Sequence, residues 1–469
     1  MKKYLGITLL IFSICLPIEI QAANIQPYPP APQAGKAFDI QDTIYGVLRT
    51  HRSLRGMQEN KQVLEHEVDR AKAGFGPKID VTAKAGGSYY SDRTTRIEGL
   101  DDRMYEVVGI TAKLVQPIWD GFATRSRVRS SQSTLDSVTT RVFDTATSLS
   151  LDGIIAHIDL LRRRNLVKLA EKNVNQHRAI LVQEQDRANL GVDTDADVTQ
   201  ASSRLARAES SLSEAKAALK IAEDTYTRLT GLPAHGKLKP ITMPPEVFKN
   251  PEAVFEMAQK YNPKVIAYMS DIRTARADKE LAESTMYPQF HIEAGPDYTD
   301  RGGYKDRWIY SFDVVGTMRW NIFNSGADVH ETKAAQARIR QARQVLYNYV
   351  DDLKLDTQST WANYVSAQEQ YKHYSTAMDF NIRTREAYLE QFQIGKRSLL
   401  DVLDAESELY NSSSQAETAR GNILVGAYRL CALTGNLLPW LSINTDPINQ
   451  APPVDPADPK EFFAPGWFQ

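Results

Sequence analysis

The sequence predicts a mainly α protein with four transmembrane β-strands and a two-fold internal repeat. Three observations carry that class: a long-period duplication, two unusually long helical runs, and stretches where the apolar period drops from 3.6 to 2. The segment Leu190-Gly191-Val192-Asp193-Thr194-Asp195-Ala196-Asp197-Val198 returns 204 residues later as Ile394-Gly395-Lys396-Arg397-Ser398-Leu399-Leu400-Asp401-Val402. The same offset carries Ala201 onto Ala405, Leu205 onto Leu409 and Thr230-Gly231 onto Thr434-Gly435. Upstream, Gln116-Pro117-Ile118-Trp119-Asp120-Gly121 is answered, with an insertion, by Arg319-Trp320-Asn321-Ile322-Phe323-Asn324-Ser325-Gly326. Solenoid units run to roughly 20–50 residues. This is a duplicated half-protein, and both halves should share one fold.

Met1-Lys2-Lys3, the apolar run Leu5 to Leu16 and the small residues Gln21-Ala22-Ala23 read as a secretory signal peptide over 1–22, the apolar run being too short to span a bilayer. Cys15 lies in this leader without the preceding small residue of a lipoprotein signal, so no lipid anchor is expected. Cys431 is then the single mature cysteine, and no internal disulfide can form. A proline-rich segment follows over 23–37. The first repeat spans 38–231, an equatorial linker 232–251, the second repeat 252–438, and a second proline-rich tail 439–469, loose from Pro447.

Each repeat opens with a helix and then a strand pair, at about 78–92 and 104–118 in the first and 288–299 and 308–323 in the second. In Ile79-Asp80-Val81-Thr82-Ala83-Lys84-Ala85 apolar and polar residues alternate. Val108, Ile110, Ala112 and Leu114 keep the same period, as do Phe290, Ile292 and Ala294, and Tyr310, Phe312, Val314 and Met318. A half-buried soluble sheet alternates in the same way. Aromatic residues at the strand ends shift the balance: Tyr89, Tyr90, Tyr105, Tyr298 and Trp308 on the loop side, and Trp119, Trp320 and Phe323 on the helix side. They resemble the two aromatic girdles of an outer-membrane barrel. Four strands cannot close a barrel, and an open edge has no hydrogen-bond partner in lipid. Strands that span a membrane therefore require an oligomer, with 8 strands in a dimer or 12 in a trimer. The charged strand loops, around Asp92 to Arg103 and Asp300 to Arg307, should be exposed.

The runs 123–190 and 327–394 contain no proline, and Gly153 is their only glycine. As helices each would be about 100 Å long, too long to stand without lateral support. Each ends at a Leu-Gly or Ile-Gly turn and is followed by a shorter helix, over 195–230 and 398–434. Ala201, Leu205, Ala208, Leu212, Ala215, Leu219, Ala222, Tyr226 and Leu229 step by four and three throughout, as do their counterparts in the second half. That spacing is coiled-coil packing. The result is two long helical hairpins with tips at Gly191 and Gly395.

This order of elements, from Phe38 to Leu438, resembles the TolC family of outer-membrane channel-tunnels. The most specific match is Gly395-Lys396-Arg397-Ser398-Leu399-Leu400-Asp401-Val402-Leu403-Asp404-Ala405-Glu406, which resembles the family's second inner-hairpin signature. Gln116-Pro117-Ile118-Trp119-Asp120-Gly121 resembles its barrel-to-helix junction. The resemblance implies a homotrimer in the cell outer membrane with a large periplasmic portion: a long α-helical coiled-coil barrel joined to a β-barrel that trimerisation completes, four strands per chain and 12 in total. It implies a tunnel closed by inward-curving hairpins until a periplasmic adaptor (membrane fusion protein) and an inner-membrane ABC or RND-type transporter dock.

The same resemblance assigns residues. Asp401 and Asp404, one helical turn apart, would each give a ring of three carboxylates at the periplasmic constriction, favouring cations. Arg397 would latch the second hairpin to a neighbouring one, with Asp197 or the backbone near Ala196 as partner. Phe392 stands where the family can have tyrosine, so one closing hydrogen bond would be missing. Leu190, Gly191, Ile394 and Gly395 at the tips would meet the adaptor, the glycines supplying the positive φ of a helix end.

A formal net charge of −2 gives no pull toward nucleic acid. The eight histidines are scattered, with no HExxH, cysteine cluster or phosphate-binding glycine loop, so no enzyme activity, cofactor or metal is expected. Asp193, Asp195 and Asp197 alternate as in a calcium loop but lack the glycine and terminal glutamate of an EF-hand. The signature wording and the absent lipid anchor point to the exit duct of type I protein secretion, of a toxin or adhesin, with multidrug efflux as the alternative. Two rivals remain at this stage: a soluble periplasmic coiled-coil scaffold, and a periplasmic adaptor, which would carry one hairpin rather than two.

Overall fold

The computed structural model describes residues 37–449 apart from 90, 92, 98, 100–103, 192, 193, 245–247 and 302–307. The expected signal peptide, the proline-rich segment up to residue 36, Tyr90, Asp193, most of the two strand loops and the tail beyond Asn449 lie outside the described residues.

The chain runs α1 (Ile40–Thr50), α2 (Arg52–Ala73), β1 (Lys78–Tyr89), a one-turn α3 (Arg93–Ile97), β2 (Met104–Trp119), α4 (Ala123–Asn189) and α5 (Asp195–Thr230). The second half repeats this as α6 (Pro251–Tyr261), α7 (Pro263–Ser284), β3 (Gln289–Arg301), β4 (Trp308–Arg319), α8 (Ala327–Gln393) and α9 (Leu399–Leu433), and α10 (Leu437–Trp440) follows. The fold class is the one the sequence predicts. Several details differ. The single helix expected before each strand pair is two helices. Pro263 lacks the N–H that a continuous helix needs and biases Asn262 to extended backbone, with φ −63° and ψ 124°. The freed Asn262 side chain caps α7, accepting from Lys264 N at 2.9 Å. His51 makes the equivalent break without a proline. The last strand ends at Arg319, so Phe323 lies beyond it.

The two strand pairs join into one antiparallel sheet in the order β1-β2-β3-β4. Gly295 is needed where β3 crosses β2, because a Cβ there would stand 1.9 Å from the Ala112 carbonyl oxygen. Pro117, which cannot donate to a ladder, sits where the β2–β3 register slips between Pro117 and Trp119. Strands β1 and β4 each have a partner on one side only.

Helix α4 is the spine. Its sheet-proximal half packs on α2 and α7, and its far half on α5 and α9. Against α7 the contact is largely polar: Ser130 donates to Asp278 at 2.6 Å, Ser137 to Asp271 at 2.5 Å, and Arg141 also reaches Asp271 at 2.6 Å. The main apolar core lies midway along the molecule, where Ile44, Leu48, Leu54, Val142, Ile154, Ile158, Tyr428 and Cys431 meet Leu437 and Leu438. Ile443 and Ile448 join it. The tail expected to be loose from Pro447 is thus anchored there: Asp446–Asn449 forms a 3-10 turn, and Gln58 donates to the Ile448 carbonyl at 3.1 Å. Beside this core, the described part of the linker runs along α1 and α4. His157 Nε2 lies 3.0 Å from the Lys239 carbonyl, so that nitrogen carries the proton. Nδ1 then accepts from Thr43 at 2.8 Å, and Tyr226 OH is 3.1 Å from the same hydroxyl. Burial keeps this imidazole neutral, with its pKa pushed down to about 4.

Candidate functional site

Two surfaces of the chain invite function: the sheet and the hairpin tips. The pleat puts alternate residues on opposite faces. The register aligns Ile79, Val81 and Ala83 with Leu114, Ala112 and Ile110, and Phe290, Pro296 and Tyr298 with Met318, Phe312 and Tyr310. All lie on one face. Most of them are exposed, Val81 by 70 % and Phe312 by 60 %, while Ala112, Leu114 and Pro296 are half-buried. The opposite face carries paired polar groups. Thr111 donates to Asp297 at 2.6 Å, and Lys113 pairs with Glu293 at 2.7 Å. An apolar face of this extent is unstable in water. Strands of 12–16 residues are long enough to cross the apolar band of an outer membrane, about 25 Å tall, even when tilted. No described helix is long and apolar enough to cross a membrane.

At the far end α4 turns into α5 and α8 into α9. Gly191 and Gly395 have φ of +73° and +72°, and the Gly395 and Lys396 amides close α8 by donating to Phe392 and Gln391. Leu190 and Ile394 project from the tips with 79 % and 65 % of their surface exposed. Just inside the tips the two hairpins pack on each other. Ile180 and Ala201 of the first meet Phe392, Leu399, Val402 and Leu403 of the second. Phe392 is therefore a buried anchor, and the Arg187 guanidinium lies over its ring at 4.8 Å.

The charged residues form a different set of pairs from the one expected. Arg397 reaches Asp401 at 3.6 Å and the Gln391 side chain at 3.3 Å, and it stacks on Tyr388 at 4.0 Å. Within one chain it does not pair with Asp197. That carboxylate accepts from Thr194 N at 3.2 Å and Thr194 Oγ1 at 2.7 Å, because it sits in the first turn of α5, where free amides and the helix dipole favour an anion. Asp401 is held below the usual carboxylate range, chiefly by the Ser398 hydroxyl donating at 2.7 Å and next by the Ser398 backbone and Arg397. Asp404 is half-exposed and accepts from Arg204 of the first hairpin at 2.8 Å. Deeper in the seam Arg385 lies 3.5 Å from the buried Glu406, whose pKa burial raises against the pull of Arg385 and Lys172. His177 on α4 is also driven toward its neutral form, first by burial and then by Arg204. Arg204 and Arg385 lie outside the signature and escaped the sequence reading. Among the described residues no group of His, Cys, Asp or Glu is placed to hold a metal ion.

The sequence model of the outer membrane efflux protein family matches residues 43–232 and 254–436. The chain belongs to that family. Members of this family are outer-membrane channel proteins, so the exposed apolar face of the sheet is the face a membrane would cover. The outer membrane efflux protein BepC of Brucella suis is 21 % identical over 429 residues, covering 91 % of this chain and 92 % of BepC. The alkaline protease secretion protein AprF of Pseudomonas aeruginosa is 24 % identical, covering 80 % of this chain and 81 % of AprF. The outer membrane channel CmeC of Campylobacter jejuni superposes with a TM-score of 0.73 at 13 % identity, covering 85 % of this chain and 86 % of that one. Relatives with efflux and with secretion in their names thus match over most of the chain.

Proposed function

We propose that three copies of this efflux-family chain form the exit duct of a tripartite export system, most closely one for type I secretion of a protein, opened when a periplasmic adaptor and an inner-membrane transporter dock. One observation carries the proposal: a four-stranded sheet with an exposed apolar face and two unpaired edges, set at one end of hairpins about 100 Å long. Pairing β4 of one copy with β1 of the next satisfies both edges and gives a closed 12-stranded barrel. A soluble periplasmic scaffold would leave that face in water. The hairpin ends then carry the gate. Asp401 and Asp404 line the constriction, Arg397 and Phe392 hold the second hairpin in the closed arrangement, and Leu190 and Ile394 are the apolar contacts for the adaptor. The name of AprF supports secretion; that of BepC supports efflux as the second reading.

The test is single-channel conductance of the detergent-purified protein in a planar bilayer. A small cation-selective conductance, blocked by a trivalent cation in the wild type but not in Asp401→Ala/Asp404→Ala, is expected. A protein that purifies without detergent and conducts nothing is a scaffold and sinks the proposal. Co-purification with an ABC-type or an RND-type transporter separates secretion from efflux.

A further inference from the structure

We infer that Arg204 is a charge clamp on the channel gate: it ties the two hairpins of one protomer together and masks the Asp404 carboxylate while they remain closed. The inference rests on the constriction role proposed above for Asp404. Arg204 stands on α5 of the first hairpin and Asp404 on α9 of the second. Their side chains meet at 2.8 Å, although 200 residues separate them in sequence. Arg204 is only 27 % exposed, which restricts its alternatives and screens the pair less than a fully solvated one.

Two neighbouring contacts give the clamp its setting. Toward the tips, Arg187 of the first hairpin covers Phe392 of the second. Between the hairpins, Ala201 packs among Phe392, Leu399, Val402 and Leu403. Ala201 lies one turn before Arg204 on α5, so the seam that seats Ala201 also aims the guanidinium at Asp404. The internal repeat makes the asymmetry plain: the counterpart of Arg204, 204 residues on, is Glu408. The first hairpin supplies a cation at the seam where the second supplies anions.

Two consequences follow for the gate. With the hairpins together, both carboxylates of each protomer are paired, Asp401 with Arg397 of its own hairpin and Asp404 with Arg204 of the other, so only the Asp404 pair depends on the hairpins staying together. Separating the hairpins breaks the pair and exposes a second carboxylate level to the passage. The charge of the duct thereby becomes coupled to its opening.

The test combines two readouts on the intact channel. In planar bilayers, Arg204→Gln frees three carboxylates in the trimer, and hexaamminecobalt(III) should half-block it at a concentration lower by about tenfold or more. The charge swap Arg204→Asp/Asp404→Arg should return the block toward that of the wild type. Independently, spin labels at positions 202 and 408 report the distance between α5 and α9. Arg204→Gln should broaden that distribution, and the swap should narrow it again. If Arg204→Gln leaves both readouts unchanged while Asp401→Ala/Asp404→Ala abolishes the block, the clamp is refuted and the gate stands. If the double alanine variant is blocked like the wild type, the gate reading fails and masking falls with it. Broadening in Arg204→Gln with recovery in the swap would then still establish the tie between hairpins.

Discussion

Helices α4 and α8 have the same length, 67 residues, and the same place in their repeats, yet twenty residues of α4 are buried and six of α8. Composition does not explain this. Position does. α4 is flanked on both sides by helices of its own chain, whereas α8 lies at the edge of the array, packed on α6, α7 and α9. Val345, Tyr347, Leu355 and Phe380 stay exposed along it. The sheet repeats the lesson, since β2 and β3 are paired on both sides and β1 and β4 on one. A duplicated sequence sets the shape of each half, and the neighbours decide what is core. In the trimer proposed here, the edge elements are the core that each copy supplies to the next.

The sharpest way to break that comparison is to delete the same kind of group from each helix. Ile154 is fully buried on α4, so Ile154→Ala should destabilise the folded protomer by about 2–5 kcal/mol through lost burial and a cavity. Leu355 on α8 is 64 % exposed, and Leu355→Ala should leave protomer unfolding within about 0.5 kcal/mol of the wild type. Denaturant unfolding of the monomer measures both. Equal losses would mean that α8 is not an edge.

A second difference between the helices is titratable. His157 on α4 has Trp361 as its counterpart on α8. The folded protein holds His157 neutral with a pKa near 4, against 6.5 for an ordinary histidine. The unfolded chain therefore binds a proton that the native one refuses. Stability contributed by this site is intact above pH 6.5, declines as pH falls toward 4, and then levels off, the total loss being up to about 3 kcal/mol. Unfolding followed from pH 7.5 to 4 should show that slope in the wild type and lose it in His157→Gln.

Assembly gives a smaller effect with a distinct readout. Leu355→Asp places a carboxylate where a neighbouring copy would bury it without a counter-charge. Trimer formation should weaken by about tenfold or more, read by native mass spectrometry in detergent, with monomer unfolding unchanged. A trimer that survives the substitution at all concentrations would move the interface off this face of α8.

Much of this was legible in the chain because it is periodic. Four-and-three spacing on Ala201 to Leu229 announces a helix packed on another, and strict alternation from Ile79 to Ala85 announces a strand. What escaped was either aperiodic or distant. Thr50-His51-Arg52 carries no breaker residue, and its bend follows from packing. Asn262-Pro263 did carry the signal. Ile448 looked loose beside Pro447 because nothing local reveals that a distant core will accept it. At the gate, the signature holds Asp401 together with its partners Ser398 and Arg397 but is silent about the partner of Asp404. Arg204 lies in the other repeat, and Phe392, read as a missing hydroxyl, is a ring buried between hairpins. Pairings across 200 residues are products of the fold, and a linear motif does not contain them.

The smallest expected effect sharpens the contrast at the tips themselves. In the first hairpin Asp197 is spent on Thr194, at the start of its own helix. In the second, Asp401 also takes a hydrogen bond from the residue that caps its helix, Ser398, but keeps 40 % of its side chain exposed and has Arg397 beside it. The Ser398 hydroxyl is the largest influence holding Asp401 below the usual carboxylate range. A depressed carboxylate stays charged as pH falls through that range, so trivalent-cation block of the wild-type channel should be constant from pH 7 to about 5. Ser398→Ala removes the donor while leaving Arg397 in place. Asp401 then titrates closer to an ordinary aspartate, and block should begin to weaken at a higher pH than in the wild type, with little change at pH 7. An equal shift from Thr194→Ala would mean that the first hairpin's carboxylate, and not Asp401, faces the passage.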